Sequence, residues 1–355
     1  MTIALDATYS LGRNPSGVAV YCRRIIDALV RAAPEERFLL CYRSNRFFRA
    51  LTSRRPATNC SRRLLEEPVC SLTLRRATVF HGLNQRLPRC KLPPAVTTFQ
   101  DLFVISGDYS TPEFRQRFTM LARDAAARSD HIIAASQFTA AQVRDYLNYP
   151  ESRITVIYHG VDPIPDLPPA ELEDFRHRHQ LEAPFLLCVG AIQVRKNISR
   201  LVQAFERMGG DCLLVLAGSD GTGAEQIRQQ IQASPARERI RLLGYVDQDT
   251  LAKLYRTAAA FAFPSLDEGF GLPVLEAMSA GLPVVTSNRS ALGEVAGEAA
   301  LRVDPDQTEG IQLALERVLF DTDCRQRLIE AGYKRAAEFT WEKTAAATLK
   351  VYRRL

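Results

Sequence analysis

Two glutamates, Glu268 and Glu276, flank the segment Gly269-Phe270-Gly271-Leu272-Pro273. The segment follows the strand-like run "AFAFP" and opens an apolar helical stretch that Gly281 can end. Gly269 and Gly271 let the backbone turn and approach a ligand closely, and Pro273 suits the first helical position, where its missing N–H costs nothing. The N–H groups around Phe270, Gly271 and Leu272 would then face an anion, with the helix dipole adding to the attraction; a phosphate fits. Carboxylates repel phosphate, so the glutamates need another partner. A vicinal diol suits an ionised carboxylate, which accepts two O–H hydrogen bonds. A nucleotide sugar offers both chemistries, a diphosphate in the middle and hydroxyls on the ribose and on the sugar. Taken alone, the stretch is equally compatible with Glu276 complementing the helix dipole and Glu268 lying solvated in a loop.

A second element, "LLCVGAIQVRKNISRLVQAF", tips the balance. A strand over Phe185–Val189 ends at Gly190, and a loop delivers Arg195 and Lys196 before a helix that Asn197 is expected to cap. Adjacent Arg and Lys at such a turn would neutralise a diphosphate, the Arg in bidentate fashion and the Lys as a point charge. A third element, "SLGRNPSGVAVYCRRIIDALV", places Gly12, Ser16 and Gly17 in a turn between the first strand and the first helix.

Bringing these residues into position requires an alternation of short apolar runs and longer helical stretches, which the chain shows from end to end. Strands are expected at Ile3–Ala7, Phe38–Tyr42, Val79–His81, Val96–Phe99 and His131–Ala135, then at Phe185–Val189, Cys212–Ala217, Ile240–Leu243, Ala259–Phe263 and Pro283–Thr286. Helices are expected at Val18–Ala32, Glu113–Arg128, Asn197–Arg207 and Asp249–Arg256. The pattern predicts parallel α/β sheets covered on both faces. Prolines crowd "HGVDPIPDLPPAELEDF", which reads as a stiff linker and places a domain boundary there. Residues 1–163, with a returning helix at about 341–355, form the expected first domain, and 164–340 the second. Ligands of open α/β sheets bind beyond the carboxyl ends of the strands, so the cleft between the domains is the expected active site.

At 355 residues, 46% of them apolar and 24% charged, the chain suits a globular protein of about two domains rather than a disordered one. Its apolar runs are far shorter than the ~20 residues of a membrane span, and the start "MTIALDATYS" does not read as a signal peptide. Eight scattered cysteines form no CxxC or Cys/His cluster, so a cytoplasmic setting is expected. The net charge is +6, and residues 1–165 hold 23 Lys/Arg against 14 Asp/Glu. Much of the excess lies in "RFLLCYRSNRFFRALTSRRPATNCSRRLL", either a solvated surface with aromatic anchors or a patch for anionic lipid head groups or an acidic substrate. No nucleic-acid-binding motif accompanies the charge.

With "SGVAVY", "SQFT", "VIYHGVD", "VGAIQVRKNISRLVQAF", "LVLAG", "RLLGYV", "LYRTAAAFAFPSLDEGFGLPVLEAMSAGLPVV" and "GEVAGEAALRVDP" all in order, the chain resembles the retaining group 1 glycosyltransferases, family GT4, over nearly its whole length. That resemblance implies the GT-B fold, two Rossmann-like domains whose parallel sheets face an interdomain cleft. "FTWEKTAAATLKVYRRL" is similar to the family's last helix, which crosses back to the first domain. By the resemblance, Arg195, Lys196, Gly190 and the backbone at Phe270–Leu272 bind the donor diphosphate, near Gly17. Glu276 binds the ribose diol, Glu268 the hydroxyls of the transferred sugar, and Tyr245 and Val246 line the base pocket. Gln100, Asp101 and Ser136 are expected on the acceptor side, with Asp101 joining Glu268, Arg195 and Lys196 as catalytic candidates; His81, ending the strand "TVFH", is as compatible with a structural role as with one on that side. Many relatives have His-Asp where this chain has Gln100-Asp101, which puts a titrating role there in doubt. His159 replaces a common Asn.

Such enzymes are commonly explained by front-face attack, in which a donor phosphate oxygen takes the acceptor proton, so neither a protein acid/base pair nor a metal or other cofactor is expected. "DQD" at 247–249 and "DTD" at 321–323 are accordingly read as polar helix or loop residues. The form "EGFGLP" most resembles mannosyltransferases using GDP-mannose, with a UDP-sugar as runner-up. The acceptor is expected to be a glycan, lipid-linked or phosphorylated, met by a basic domain in peripheral contact with the inner membrane. "AGSDGTG" at 217–223 follows a strand but reads as lacking the helix and acidic residue of a dinucleotide site. No motif supports an epimerase or a phosphorylase of the same fold, and the intact Arg195-Lys196 and Glu268/Glu276 set argues against a non-catalytic binding protein.

Overall fold

A computed structural model describes residues 1–12, 16–53, 56–67 and 69–355. Parts of the expected Gly12–Gly17 turn, and Arg54 and Arg55 of the basic stretch, lie outside the described residues. The chain divides into two compact units, Met1–Gly160 with Phe339–Leu355, and Val161–Glu338.

The first unit is built on seven parallel strands: β1 (Thr2–Asp6), β2 (Arg37–Tyr42), β3 (Cys60–Leu64), β4 (Val79–Gly82), β5 (Ala95–Phe99), β6 (His131–Ala134) and β7 (Ile154–Val156). Their order across the sheet is β3-β2-β1-β4-β5-β6-β7. Ile3 to Asp6 of β1 and every residue of β4 and β5 are buried, as continuous apolar runs must be when helices cover both faces. One face packs Ile3, Leu5, Phe38 and Leu40 under the helix Gly17–Ala32 and the final helix Trp341–Tyr352. Tyr21, Ile25 and Leu29 of the former meet Trp341, Ala345 and Leu349 of the latter, the larger apolar side chains each worth roughly 1.5–3 kcal/mol when buried. The last helix therefore belongs to the core of the first 160 residues.

The second unit has six parallel strands: β8 (Phe185–Val189), β9 (Leu213–Ala217), β10 (Ile240–Gly244), β11 (Ala260–Phe263), β12 (Val284–Ser287) and β13 (Leu301–Val303). Their order is β10-β9-β8-β11-β12-β13. The order runs one way from β8 and the other way from β11, which creates a switch point between two adjacent central strands.

The ten expected strands are all present, shifted by a residue or so at their ends, and three more appear: β3, β7 and β13. All three are edge strands. Their sequences, "CSRRL", "ITV" and "LRV", are short or polar because an edge is covered less completely. A helix, Ala224–Ala233, does follow the Gly218–Gly223 loop, contrary to the expectation from sequence. Gly223 caps it in a left-handed conformation, and the helix's own polar face hides it.

Candidate active site

The switch point brings two loops together. One runs from Gly190 to Asn197 after β8, the other from Pro264 to Gly271 after β11, and the backbone N–H of Leu266 donates to the Arg195 carbonyl at 2.9 Å. Asn197 fastens the same corner. Its side chain does not cap the following helix Ile198–Glu206, as the sequence led one to expect. Instead its amide donates to the carbonyls of Pro264 (3.0 Å) and Pro305 (2.7 Å), from a left-handed backbone (φ 58°) that asparagine tolerates.

Between these loops lie Arg195, Lys196 and Glu268, each with a side chain about one-tenth exposed. Glu268 Oε2 is 3.0 Å from Arg195 Nη1, and its Oε1 is 2.5 Å from Lys196 Nζ. Arg195 Nη1 also donates to the Asp267 carbonyl at 2.5 Å, and Lys196 Nζ stands 4.5 Å from the centre of the Phe263 ring. Gly190 has φ +141°, and a Cβ there would sit 3.2 Å from Lys196 Cε, so glycine both permits the turn and clears the lysine's path. Burial alone would raise the Glu268 carboxyl, but the Arg195 and Lys196 charges outweigh it and hold the carboxyl below its ordinary value. Burial lowers the Lys196 ammonium, and the attraction of Glu268 opposes that shift. Two cations thus face the Glu268 carboxylate in a nearly buried corner, with Asp267 buried beside them, a concentration of charge unusual for a closed core.

The helix Leu272–Ser279 starts immediately beyond. Gly271 precedes it at φ +106°, where a Cβ would press within 2.5 Å of Leu292 Cδ2. No side chain caps this N-terminus, and Pro273 occupies its second position. Glu276, on the same helix, accepts the Tyr255 hydroxyl at 2.9 Å. Burial raises its carboxyl above the ordinary value; the Tyr255 bond opposes this and Asp162 adds to it. Glu268 and Glu276 thus lie in opposite electrostatic surroundings. Tyr255 and Ser290, whose Oγ accepts the Glu268 N–H at 3.1 Å, are invisible in the sequence because each is more than twenty residues from its partner.

Tyr245 and Val246 follow β10, which lies two strands from β8, about 10 Å at ordinary strand spacing. Tyr245 is exposed. Gly17 opens its helix behind the Ser16 cap, and a Cβ there would meet nothing within 4 Å, so packing inside its unit does not require a glycine.

The residues expected on the acceptor side divide differently. His81 lies in the core with both ring nitrogens engaged, Nδ1 by Tyr352 Oη at 2.5 Å and Nε2 by Thr98 Oγ1 at 2.8 Å. Burial pushes it down to about 3, so it is a neutral structural histidine with no nitrogen left for a sugar. Ser136 is fully buried and caps the helix Gln137–Leu147, accepting the Thr139 N–H at 3.0 Å. Gln100 is buried too, and its Oε1 accepts from His159 Nε2 at 2.6 Å. Burial pushes His159 to about 3 as well. Gln100 and His159 therefore touch one another, the glutamine carbonyl receiving a neutral imidazole donor. Asp101, next in the chain, is half-buried.

The Asp-rich triplets have structural partners. Asp247 caps the helix Gln248–Thr257 through the Thr250 N–H (2.8 Å), Asp249 pairs with Lys253 (2.5 Å), and Asp321 caps the helix Thr322–Ala337. Among the described residues no cluster of His, Cys, Asp or Glu could hold a metal, and no helix is long and apolar enough to cross a membrane.

Comparison with known proteins bears on this arrangement. The profile described as "Glycosyl transferases group 1" matches residues 170–335, and that of "Glycosyltransferase Family 4" matches residues 15–164. Escherichia coli O-antigen chain mannosyltransferase B is 34% identical over 285 residues, 78% of this chain and 74% of that protein. Sucrose-phosphate synthase from Thermosynechococcus elongatus superposes with a TM-score of 0.78 at 22% identity, covering 100% of this chain and 98% of the other. Anabaena HepE, in complex with UDP and glucose, gives 0.77 at 17% identity, covering 99% of each chain.

Proposed function

We propose that this chain, which belongs to the group 1 glycosyltransferases and has their GT-B fold, transfers mannose from GDP-mannose to a glycan acceptor with retention of configuration and without a metal. The observation that carries this reading is the Arg195–Lys196–Glu268 cluster beside the uncapped N-terminus of the helix Leu272–Ser279. Two cations and the positive end of a helix dipole would there stabilise the charge that a leaving diphosphate gains as the glycosidic bond breaks. Glu268 holds both cations in place and keeps lone pairs for the hydroxyls of the transferred sugar. Glu276, steadied by Tyr255, takes the ribose diol. A donor phosphate oxygen receives the acceptor proton in the front-face step.

The mannosyl donor is favoured by the 34% identical O-antigen chain mannosyltransferase. A UDP-sugar is the second reading, favoured by the HepE structure, which holds UDP and glucose. A lipid-linked glycan is the acceptor class that the basic first unit suits. The test incubates the protein with GDP-mannose or UDP-glucose and an oligosaccharide acceptor in EDTA, and follows nucleoside diphosphate release and the configuration of the new glycosidic bond by NMR. The expected result is GDP release from GDP-mannose with the α configuration retained. Release from UDP-glucose alone reassigns the donor. An inverted product contradicts the mechanism, and a strict requirement for a divalent ion contradicts its metal independence.

A further inference from the structure

At the amino ends of β1, β2 and β3 the first unit holds a cavity of about 660 Å³, within the ~300–1,000 Å³ typical of ligand sites. Four arginines line it: Arg37 at the first position of β2, Arg63 in β3, and Arg75 and Arg76 just past the helix Val69–Leu74. Most of the remaining wall is hydroxyl and amide side chains such as Thr73, and no acidic residue lines it among the described residues.

Register sets the face that the strand arginines share, with Arg63 reaching the cavity from further along its strand than Arg37. Side chains alternate along β2, so Arg37, Leu39 and Cys41 share a face. Cys41 pairs with Arg63 across the parallel ladder, which brings Arg63 to the same face. The helix Val69–Leu74 covers that face through Cys70 and Leu74, and its exit delivers Arg75 and Arg76 to the cavity. All four arginines are exposed, and none enters the ion pairs formed among the described residues, whereas Arg43, Arg128 and Arg144 of the same unit each have a carboxylate partner. Four guanidinium-bearing side chains thus line one concavity with no acidic residue in its wall among the described residues to balance them. Their planar forks match phosphate oxygens in bidentate fashion.

We propose that this cavity is a second anion site, which binds a ligand bearing phosphate groups. It is independent of the transferase reading, because the residues assigned to transfer follow the carboxyl ends of their strands and this cavity lies at the amino ends. Phosphate of this kind comes from a soluble phosphorylated metabolite or from a phospholipid head group. Leu72, 71% exposed and part of the cavity wall, would enter the acyl layer in the second case.

The test uses the full chain in two arms. In the first, inorganic pyrophosphate is titrated calorimetrically into the wild type, Arg75→Ala/Arg76→Ala, Lys196→Ala, and the charge-matched control Arg207→Ala/Lys334→Ala. In the second, the same proteins and Leu72→Ser are sedimented with vesicles of phosphatidylcholine and phosphatidylglycerol in equal parts. Melting curves check that each variant is folded. For a soluble ligand, the Arg75/Arg76 variant loses at least about tenfold in affinity at one pyrophosphate site, as expected for two lost charge-assisted contacts, and retains the site that Lys196→Ala removes. For a head group, vesicle binding falls in both the Arg75/Arg76 and Leu72 variants. Wild-type behaviour of the Arg75/Arg76 variant in both arms overturns the proposal, as does an equal loss in the control, which would mean diffuse charge rather than a site.

Discussion

Glu268 and Glu276 are chemically identical and electrostatically opposite. Glu268 has a folded-state pKa below its ordinary value, so it contributes stability that is present above about pH 4.5 and lost as pH falls through the lowered value. Glu276 has a raised pKa. The folded chain holds that proton to higher pH than the unfolded one, and stability falls as pH rises from about 4.5 through the raised value. With Glu276 assigned to the ribose diol, its carboxylate is kept at a cost to the fold. Glu276→Gln should therefore leave Tm unchanged or higher while kcat/KM for the donor falls roughly 10–100-fold, the weight of a charged hydrogen-bonding group. The acid limb of donor affinity should vanish in the same variant. A fall in Tm with unchanged kinetics would make Glu276 structural. Glu268→Ala should lower stability as well as transfer, by about 3 kcal/mol, because two nearly buried cations are left facing each other, which urea denaturation would measure.

At the scale of elements, the βα turns of β8 and β11 do the positioning. Gly271→Ala would force a non-glycine residue to φ +106° with its Cβ against Leu292, costing about 1–3 kcal/mol and re-aiming the helix N-terminus proposed to meet the donor diphosphate. Its signature is lower Tm together with a higher donor KM; wild-type KM would mean the helix end does not meet the donor. These turns are legible in the amino-acid sequence, because Gly190, Arg195, Lys196 and Gly271 sit between unmistakable central strands. The edges β3, β7 and β13 are not, since their half-covered faces do not write an apolar run. The Asn197 staple, the Tyr255–Glu276 bond and the Gln100–His159 contact are hidden for a different reason. Each depends on which distant segments meet, and local periodicity has no access to that. His81 illustrates the converse: a histidine at a strand end reads equally well as structural or functional, and its two buried partners favour the structural role.

At the scale of the whole molecule, the last helix completes the unit formed by the first 160 residues. Deleting 341–355 removes Trp341, Leu349 and Tyr352 from that core and leaves His81 without its Nδ1 partner. Limited proteolysis should then cut the first unit rapidly while 161–338 stays protected; equal resistance of both would contradict the packing described. The same unit should be acid-labile. His81 and His159 both have pKa values pushed down to about 3, so the unfolded chain takes up two protons that the folded one refuses as pH drops below about 6.5. From pH 7 to pH 5 this removes roughly 4 kcal/mol, at about 1.4 kcal/mol per histidine per pH unit below 6.5, and His159→Asn should halve the slope. Whether the chain holds a nucleoside diphosphate through Arg195 and Lys196 is decided most directly by calorimetric titration of GDP and UDP into the wild type and Lys196→Ala in EDTA. One nucleotide should bind without a metal, and the variant should lose at least about tenfold in affinity, the loss of one charged contact to phosphate. Binding of neither nucleotide, or equal affinity in the variant, would contradict the assignment of these two residues to the donor.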